Sequence, residues 1–122
     1  EKKNYVITSA KFQLSPGIKE EIRNRMDELI GLRKAKQPLE FPSAGSTFKR
    51  PTGNFAGTLI ETCGLKGFTV GGAQVSEKHA GFVINTGGAT ASDVKRVIEA
   101  VSEKVFLETS IKIEPEVEFI GR

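Results

Sequence analysis

The sequence predicts a single α+β domain in which a small mixed or antiparallel sheet packs against about three helices. Three observations support this fold class: a length of 122 residues, three stretches with apolar residues at helical spacing, and short apolar or alternating runs between them that are typical of strands. Because the strands and helices follow one another in an irregular order, α+β is favoured over a regular parallel α/β winding.

Residues 5–14 are predicted to form a half-buried strand, because apolar and polar side chains alternate along them. A helix is predicted to begin at Ser15 and Pro16, since serine is a favoured N-cap and proline a favoured first helical residue. The helix should end within residues 32–36, before the next proline. Its apolar stripe consists of Ile18, Ile22, Met26, Leu29 and Ile30.

Residues 37–53 are predicted to be a loop that leads into a short second helix. Asn54 is the candidate N-cap of that helix, and Gly64 can close it as the residue after the C-cap. Cys63 falls on the apolar face of this helix, so we expect it to pack as a small hydrophobic side chain.

Two short strands are predicted next, one at residues 68–70 that ends at Gly71 and Gly72, and a buried one at residues 82–84 that ends at Asn85. Glycines and polar residues cluster between these two runs. The sequence places no further strand there.

The third helix is predicted to begin at Thr90, because Asp93 follows at the spacing of a capping box. Its apolar stripe consists of Val94, Val97, Ile98, Val101 and Val105. A last strand is predicted over residues 110–120, where apolar and charged side chains alternate. Pro115 interrupts that strand, so we expect the ladder to be open or bent beside Glu114 and Glu116.

Composition excludes several classes of protein. One cysteine and one histidine allow no disulfide within the chain and no structural zinc site, which fits a reducing cytoplasm. No apolar run has the length of a membrane span, and no signal-peptide pattern is present, so a soluble protein is expected. The net charge of +3 favours an anionic partner only weakly.

A serine in a proline-bounded loop is the first candidate for a functional group. Pro42 and Pro51 restrict the backbone on either side, and Gly45 allows close approach of a ligand just before Ser46. Judged from the local sequence alone, a plain turn hydroxyl is the commoner role for such a serine. The chain has no P-loop, and with a single histidine and no G-x-S-x-G motif a serine hydrolase is disfavoured.

Charged residues near this loop have two interpretations each. Lys36, Lys49 and Arg50 are suited to a diphosphate, although a solubilising surface patch would have the same composition. Glu116 is either a functional carboxylate or one of several glutamates on a solvated sheet face. His79 is either a hydrogen-bond donor near an anion or an ordinary surface histidine.

Four segments together resemble the C-terminal part of the UDP-N-acetylenolpyruvoylglucosamine reductases. The segments are residues 42–49, 71–80, 82–85 and 114–117. The resemblance implies that residues 1–122 are the substrate-binding domain of a flavin reductase, corresponding to roughly its last two-fifths. In the family the FAD-binding domain lies upstream, so this domain alone is expected to be inactive.

The resemblance also implies the chemistry. In the family, NADPH reduces FAD, and the flavin delivers hydride to the enolpyruvyl double bond of the UDP-sugar, which yields UDP-N-acetylmuramate for peptidoglycan synthesis. The family's proton donor matches Ser46, and its glutamate, which helps to polarise the enolpyruvyl group, matches Glu116. Because a bare carboxylate would repel the developing negative charge, that glutamate would act as a protonated acid or through a partner.

The substrate contacts implied by the resemblance are Lys36, at the position of the diphosphate ligand, and His79, where a polar contact is expected. One departure concerns Lys49 and Arg50: the family motif often has asparagine in place of the arginine, so the usual asparagine contact is absent and an arginine could reach a phosphate instead. An alternative function is a small basic module that binds nucleic acid or an acidic protein. Its cations would be Arg33, Lys34, Lys36, Lys49 and Arg50.

Overall fold

The structure is a computed structural model and describes residues 6–120. Within that range, three helices and a four-stranded antiparallel sheet are present, which confirms the predicted α+β fold class. In chain order the elements are α1 (Lys19–Lys36), β1 (Ser43–Ser46), α2 (Ala56–Thr62), β2 (Thr69–Val70), β3 (Ala73–Val75), β4 (Phe82–Asn85) and α3 (Ala91–Thr109).

The strand order of the sheet is β1-β4-β3-β2, and all neighbours are antiparallel. The sequence pattern did not predict β3, which lies between the two predicted strands in the chain and inside the sheet. Gly71 and Gly72 form the two-residue connection of the β2–β3 hairpin, and Gly71 has φ +56°. Since β3 has only three residues, the alternation of its apolar and polar side chains is too short to predict a strand next to the glycines.

Helix α3 packs on the sheet and supplies much of the core. The capping box predicted for Thr90 and Asp93 is confirmed: each residue's side chain accepts a hydrogen bond from the other's backbone N–H, at 3.1 and 2.9 Å. Hydrogen bonds to the Asp93 carboxyl, from the Thr90 backbone N–H foremost and then from the Thr90 side chain, hold its pKa below the ordinary value. The buried residues of α3 are Val97, Ile98, Val101 and Val105. Burial of each contributes about 1.5–3 kcal/mol, so this stripe anchors the domain.

Helix α2 ends where the sequence predicts, but it begins at a different residue. Asn54 is not its N-cap, because its side-chain amide donates to the Thr52 carbonyl and the helix starts two residues later, after Phe55. At the other end Gly64 has φ +67° and donates its N–H to a carbonyl of the last turn, which closes the helix. Cys63 is buried as predicted, and burial raises the pKa of its thiol, with the Glu108 carboxylate adding to the effect.

The N-terminal segment differs from the prediction. Residues 6–14 do not form the predicted strand, since no strand of the described chain lies beside them to complete a ladder; Tyr5 lies outside the described residues. Helix α1 begins at Lys19, with Ile18 and not Ser15 at its N-cap position. It has no buried residue, so the predicted apolar stripe is exposed within the described part of the chain.

The C-terminal strand predicted over residues 110–120 is reduced to a single antiparallel bridge between Phe48 and Pro115. Two backbone bonds flank this pair: Lys49 N–H to the Glu114 carbonyl (2.8 Å) and Glu116 N–H to the Thr47 carbonyl (2.9 Å). Pro115 itself occupies a position that needs no N–H donor, which explains why a proline is tolerated. The predicted opening of the ladder beside Pro115 was wrong, because Glu114 and Glu116 make these two bonds, and the regular strand predicted around them is absent as well.

Gly72 lies where the hairpin approaches the loop between β4 and α3. A Cβ atom at this position would collide with the Gly87 carbonyl oxygen and would lie 2.5 Å from the Ala89 nitrogen. The Gly72 carbonyl also accepts the Thr86 N–H at 2.9 Å. Both colliding atoms belong to the backbone, so neither can move aside cheaply.

We therefore expect Gly72→Ala to lower the free energy of unfolding by about 2–4 kcal/mol, measured by urea denaturation. Gly31→Ala is the matched control, because a Cβ at Gly31 has no atom within 4 Å and alanine favours a helix. Equal stability of the Gly72 variant and the wild type would contradict this account of the turn.

Candidate functional site

Ser46 is the last residue of β1 and lies opposite Phe82 of β4. The predicted loop over residues 37–53 was thus wrong at residues 43–46, which form a strand at the sheet edge. The sequence Ser-Ala-Gly-Ser has weak strand propensity. It forms a strand because β4, which is distant in the chain, supplies the hydrogen bonds that hold it. Gly45, with φ +82°, accompanies a register shift between the first and last residues of β1.

The backbone beside Ser46 is tightly held, whereas its side chain is exposed. The next residue, Thr47, is buried, donates its N–H to the Gly81 carbonyl at 2.8 Å and accepts the Val83 N–H on its hydroxyl at 3.0 Å. The Ser46 hydroxyl donates only a long bond of 3.5 Å to the Phe48 carbonyl. The geometry thus presents a hydroxyl on a fixed backbone that a ligand can engage.

Glu116 is brought next to Ser46 by the bridge at Pro115. Its N–H is bonded to the carbonyl of Thr47, and Ser46 and Glu116 line one groove of about 570 Å³. A second carboxylate, Glu118, lines the same groove. The two residues matched to the family's proton donor and glutamate are therefore close in space although 70 positions apart in the chain.

A second groove, of about 400 Å³, joins Ser46 to cationic and polar side chains. Arg50 lies in its lining with its guanidinium carbon 4.0 Å from the centre of the Phe55 ring. His79 accepts the Gly81 N–H on Nδ1 at 3.1 Å, so a neutral ring carries its proton on Nε2. The groove therefore offers hydrogen-bond donors to an anion.

Lys78 also lines this cationic groove, although no sequence motif marks it as a functional residue. Its ammonium group is 2.8 Å from Glu40, and the bond from Lys78 is the main reason that the pKa of the Glu40 carboxyl lies below its ordinary value. Lys78 also donates to the Lys34 carbonyl in the last turn of α1, at 3.4 Å. A single lysine in a polar segment is typical of an ordinary surface residue, so the sequence carries no signal for a role of Lys78.

The remaining predicted cations are not all brought to Ser46. Lys36 is exposed in the last turn of α1 and does not line the grooves described around Ser46, whereas Arg33, one turn earlier, lines a third groove that contains Ser46 and His79. Lys49 pairs with Glu114 at 3.4 Å and lines a separate groove. Of the four predicted substrate contacts, Arg50 and His79 share a groove with Ser46.

Two further observations limit the site. Among residues 6–120, no group of three or more histidine, cysteine, aspartate or glutamate side chains is placed to hold a metal ion. Over the same residues, no helix combines the length and the apolar character needed to span a bilayer.

Comparison with known proteins places the fold in a family. Residues 37–120 match the family model described as UDP-N-acetylenolpyruvoylglucosamine reductase, C-terminal domain. The chain is 59% identical over 116 residues to the UDP-N-acetylenolpyruvoylglucosamine reductase of Pediococcus pentosaceus, an alignment that covers 95% of the chain and 39% of that relative. It is 52% identical over 117 residues to the one of Latilactobacillus sakei, covering 96% of the chain and 39% of the relative.

A solved structure is similar as well. The crystal structure of UDP-N-acetylenolpyruvylglucosamine reductase from Thermus caldophilus matches with a TM-score of 0.69 and 43% identity, over 86% of this chain and 37% of that one. The chain therefore spans about two-fifths of the length of the curated relatives that it matches.

Thr47 gives a direct test of how the Ser46 backbone is held. Thr47→Val keeps the shape of the side chain but leaves the buried Val83 N–H without its acceptor, so we expect the free energy of unfolding to fall by about 1–3 kcal/mol. Thr52→Val, at an exposed turn, is the control and should leave the urea midpoint unchanged. Equal midpoints for both variants would refute the role given to the Thr47 hydroxyl.

Proposed function

This chain belongs to the family of UDP-N-acetylenolpyruvoylglucosamine reductase C-terminal domains, and from that membership we propose that it is the substrate-binding and proton-donating domain of such a reductase. The proposed reaction converts UDP-N-acetylglucosamine enolpyruvate to UDP-N-acetylmuramate in peptidoglycan precursor synthesis, with FAD and NADPH as redox cofactors. The observation that carries the proposal is the position of Ser46, which lines both the groove of Glu116 and the groove of Arg50 and His79.

The glycine-rich turns at Gly71–Gly72 and Gly87 do not offer a phosphate cradle, because the fold itself fills them: the Gly72 backbone packs against Gly87, and the side chain of Asp93 lies against Gly71. We therefore propose that another part of the polypeptide binds the flavin, as the family resemblance implies. When bound, the flavin supplies hydride to the enolpyruvyl double bond.

Exposed apolar side chains support such a partner. Val6, Phe12 and Leu14 are 87%, 80% and 84% exposed. The stripe on α1 is exposed too: its residues are Ile18, Ile22, Met26, Leu29 and Ile30. Many exposed apolar side chains in one part of a chain are typical of a protein interface. We propose that the FAD-binding domain of the same polypeptide covers it, and that residues 6–14 then pair as the strand that their alternation predicts.

Ser46 acts in this proposal as the proton donor to carbon. Hydride addition at one alkene carbon leaves negative charge at the other, and a hydroxyl can donate to that carbon only if it is held close and correctly oriented. The backbone bonds of Thr47 provide this fixed position. The long bond from Ser46 to the Phe48 carbonyl is weak enough for substrate to replace it.

Glu116 would act on the same reacting group from the shared groove. As a protonated acid, or through a hydrogen-bonded partner, it can stabilise the charge that develops on the enolpyruvyl carboxylate. Arg50 and His79 are the proposed contacts to the diphosphate side of the substrate, and their groove supports this assignment. For Lys36 the diphosphate contact remains a prediction from the family resemblance, and for Lys49 it remains a prediction from its charge beside the loop.

The nucleic-acid alternative is less well supported. Lys49, one of its cations, is paired with Glu114, and Arg50 is stacked on a ring beside Ser46. Family membership also favours the reductase.

Ser46→Ala tests the proton donor in the full-length protein that carries this segment. We expect reduction of the flavin by NADPH to persist, while its reoxidation by the UDP-sugar slows by about 100-fold or more, because only the second step needs the proton. Both half-reactions can be followed by flavin absorbance in a stopped-flow instrument. Ser92→Ala is the control, and normal reoxidation in the Ser46 variant would rule out the donor role.

Glu116→Gln tests the carboxyl group. The substitution keeps the size of the side chain but removes its acidity, so we expect the reoxidation half-reaction to slow by about 10- to 100-fold without loss of flavin reduction. Glu103→Gln, an exposed glutamate on α3, serves as the control. An unchanged reoxidation rate would return Glu116 to the interpretation of a solvated surface residue.

A further inference from the structure

Arg50 and Phe55 form a stacked pair at the groove that contains Ser46. The guanidinium carbon lies 4.0 Å from the centre of the aromatic ring, well within the range of a cation–π contact. Such a contact restrains the guanidinium without an acidic partner. Within residues 6–120 the N–H donors of Arg50 make no side-chain hydrogen bond, so they stay available to another ligand.

Arg50 differs from the other cations near Ser46 in its partners. Lys78 is paired with Glu40 at 2.8 Å, and Lys49 with Glu114 at 3.4 Å. Arg50 has no ion pair and no side-chain hydrogen bond among residues 6–120. Its positive charge and its donors are therefore uncommitted, and an incoming anion does not have to displace an acidic side chain.

Phe55 has a fixed backbone but contributes little to the core. Its carbonyl accepts the Leu59 N–H at 3.1 Å at the start of α2, which holds the residue in position. Its side chain is nevertheless 58% exposed. Among residues 6–120, the cation–π contact with Arg50 is the only aromatic interaction that this side chain makes.

We propose that Phe55 is a positioning residue, which holds the Arg50 guanidinium so that its N–H edge binds the diphosphate of the UDP-sugar. The inference rests on the proposed function and adds to it a residue that does not itself touch substrate. A planar guanidinium can bind two phosphate oxygens at once, and restraint of its orientation before binding lowers the entropy that is lost on binding. An asparagine at position 50 would need no such aromatic support.

The chemistry predicts an effect on binding and not on the reaction step. The diphosphate is remote from the enolpyruvyl carbons and keeps its charge throughout, so its contacts stabilise the ground state and the transition state alike. Loss of the stack should therefore raise KM and leave kcat unchanged. A general disturbance of the fold would instead reduce both kcat and thermal stability.

The test is a double-mutant cycle in the full-length reductase, with steady-state kinetics for the UDP-sugar and with UDP as a competitive inhibitor. We expect Arg50→Met to raise the inhibition constant of UDP by about 10- to 100-fold, and Phe55→Leu by about 3- to 10-fold. Phe55→Tyr keeps the ring and should behave as wild type. In the Arg50→Met background, Phe55→Leu should have no further effect.

Phe106→Leu is the matched control, because Phe106 is also about half exposed (52%) but lies on α3. Independent effects of the two substitutions, or equal weakening by Phe55→Leu and Phe55→Tyr, would overturn the inference. An unchanged inhibition constant of UDP in Phe55→Leu would also overturn the inference. If the wild type turns over the UDP-sugar in that experiment, the proposed function stands. Failure of the wild-type protein to turn over the UDP-sugar would overturn the proposed function as well.

Discussion

The antiparallel pairing of β1 with β4 is the constraint on which the candidate site depends. It places Ser46 opposite Phe82, and the bonds of Thr47 to the β4 side continue that pairing past the end of the strand. The carbonyl of Thr47 then receives the N–H of Glu116. One edge of a small sheet thus brings together residues from three separate parts of the chain, and the core under α3 keeps that edge in place.

Charge is distributed around Ser46 with a clear asymmetry. Two carboxylates line the groove on the side of Glu116, whereas Arg50, Lys78 and His79 line the groove on the other side together with one carboxylate, Glu61, which is paired with Lys66. A ligand with an anionic end and a reactive group that needs an acid fits such an arrangement, because each end meets the chemistry that it requires. The hydroxyl of Ser46 is the point at which the two sides meet.

The N-terminal part of the chain has a different physical status. Residues 6–14 and helix α1 have the patterns of structured, half-buried elements, yet they contribute no buried residue to the described fold. The family match likewise begins only at residue 37. The apolar side chains of these residues are exposed. Their exposure agrees with the proposal that the flavin-binding part of the polypeptide covers them.

The sequence by itself determined the features that local physics controls: the capping box and stripe of α3, the glycine that closes α2, the buried strand β4 and the α+β class. Only the tertiary structure decided that residues 43–46 form a strand, that Glu116 lies beside Ser46, and that Arg50 is stacked while Lys49 is paired with Glu114. Periodicity and caps depend on near neighbours in the chain. Strand pairing, side-chain partners and the covering of an apolar face depend on residues distant in sequence, and the loop around Ser46 acquires its shape from them.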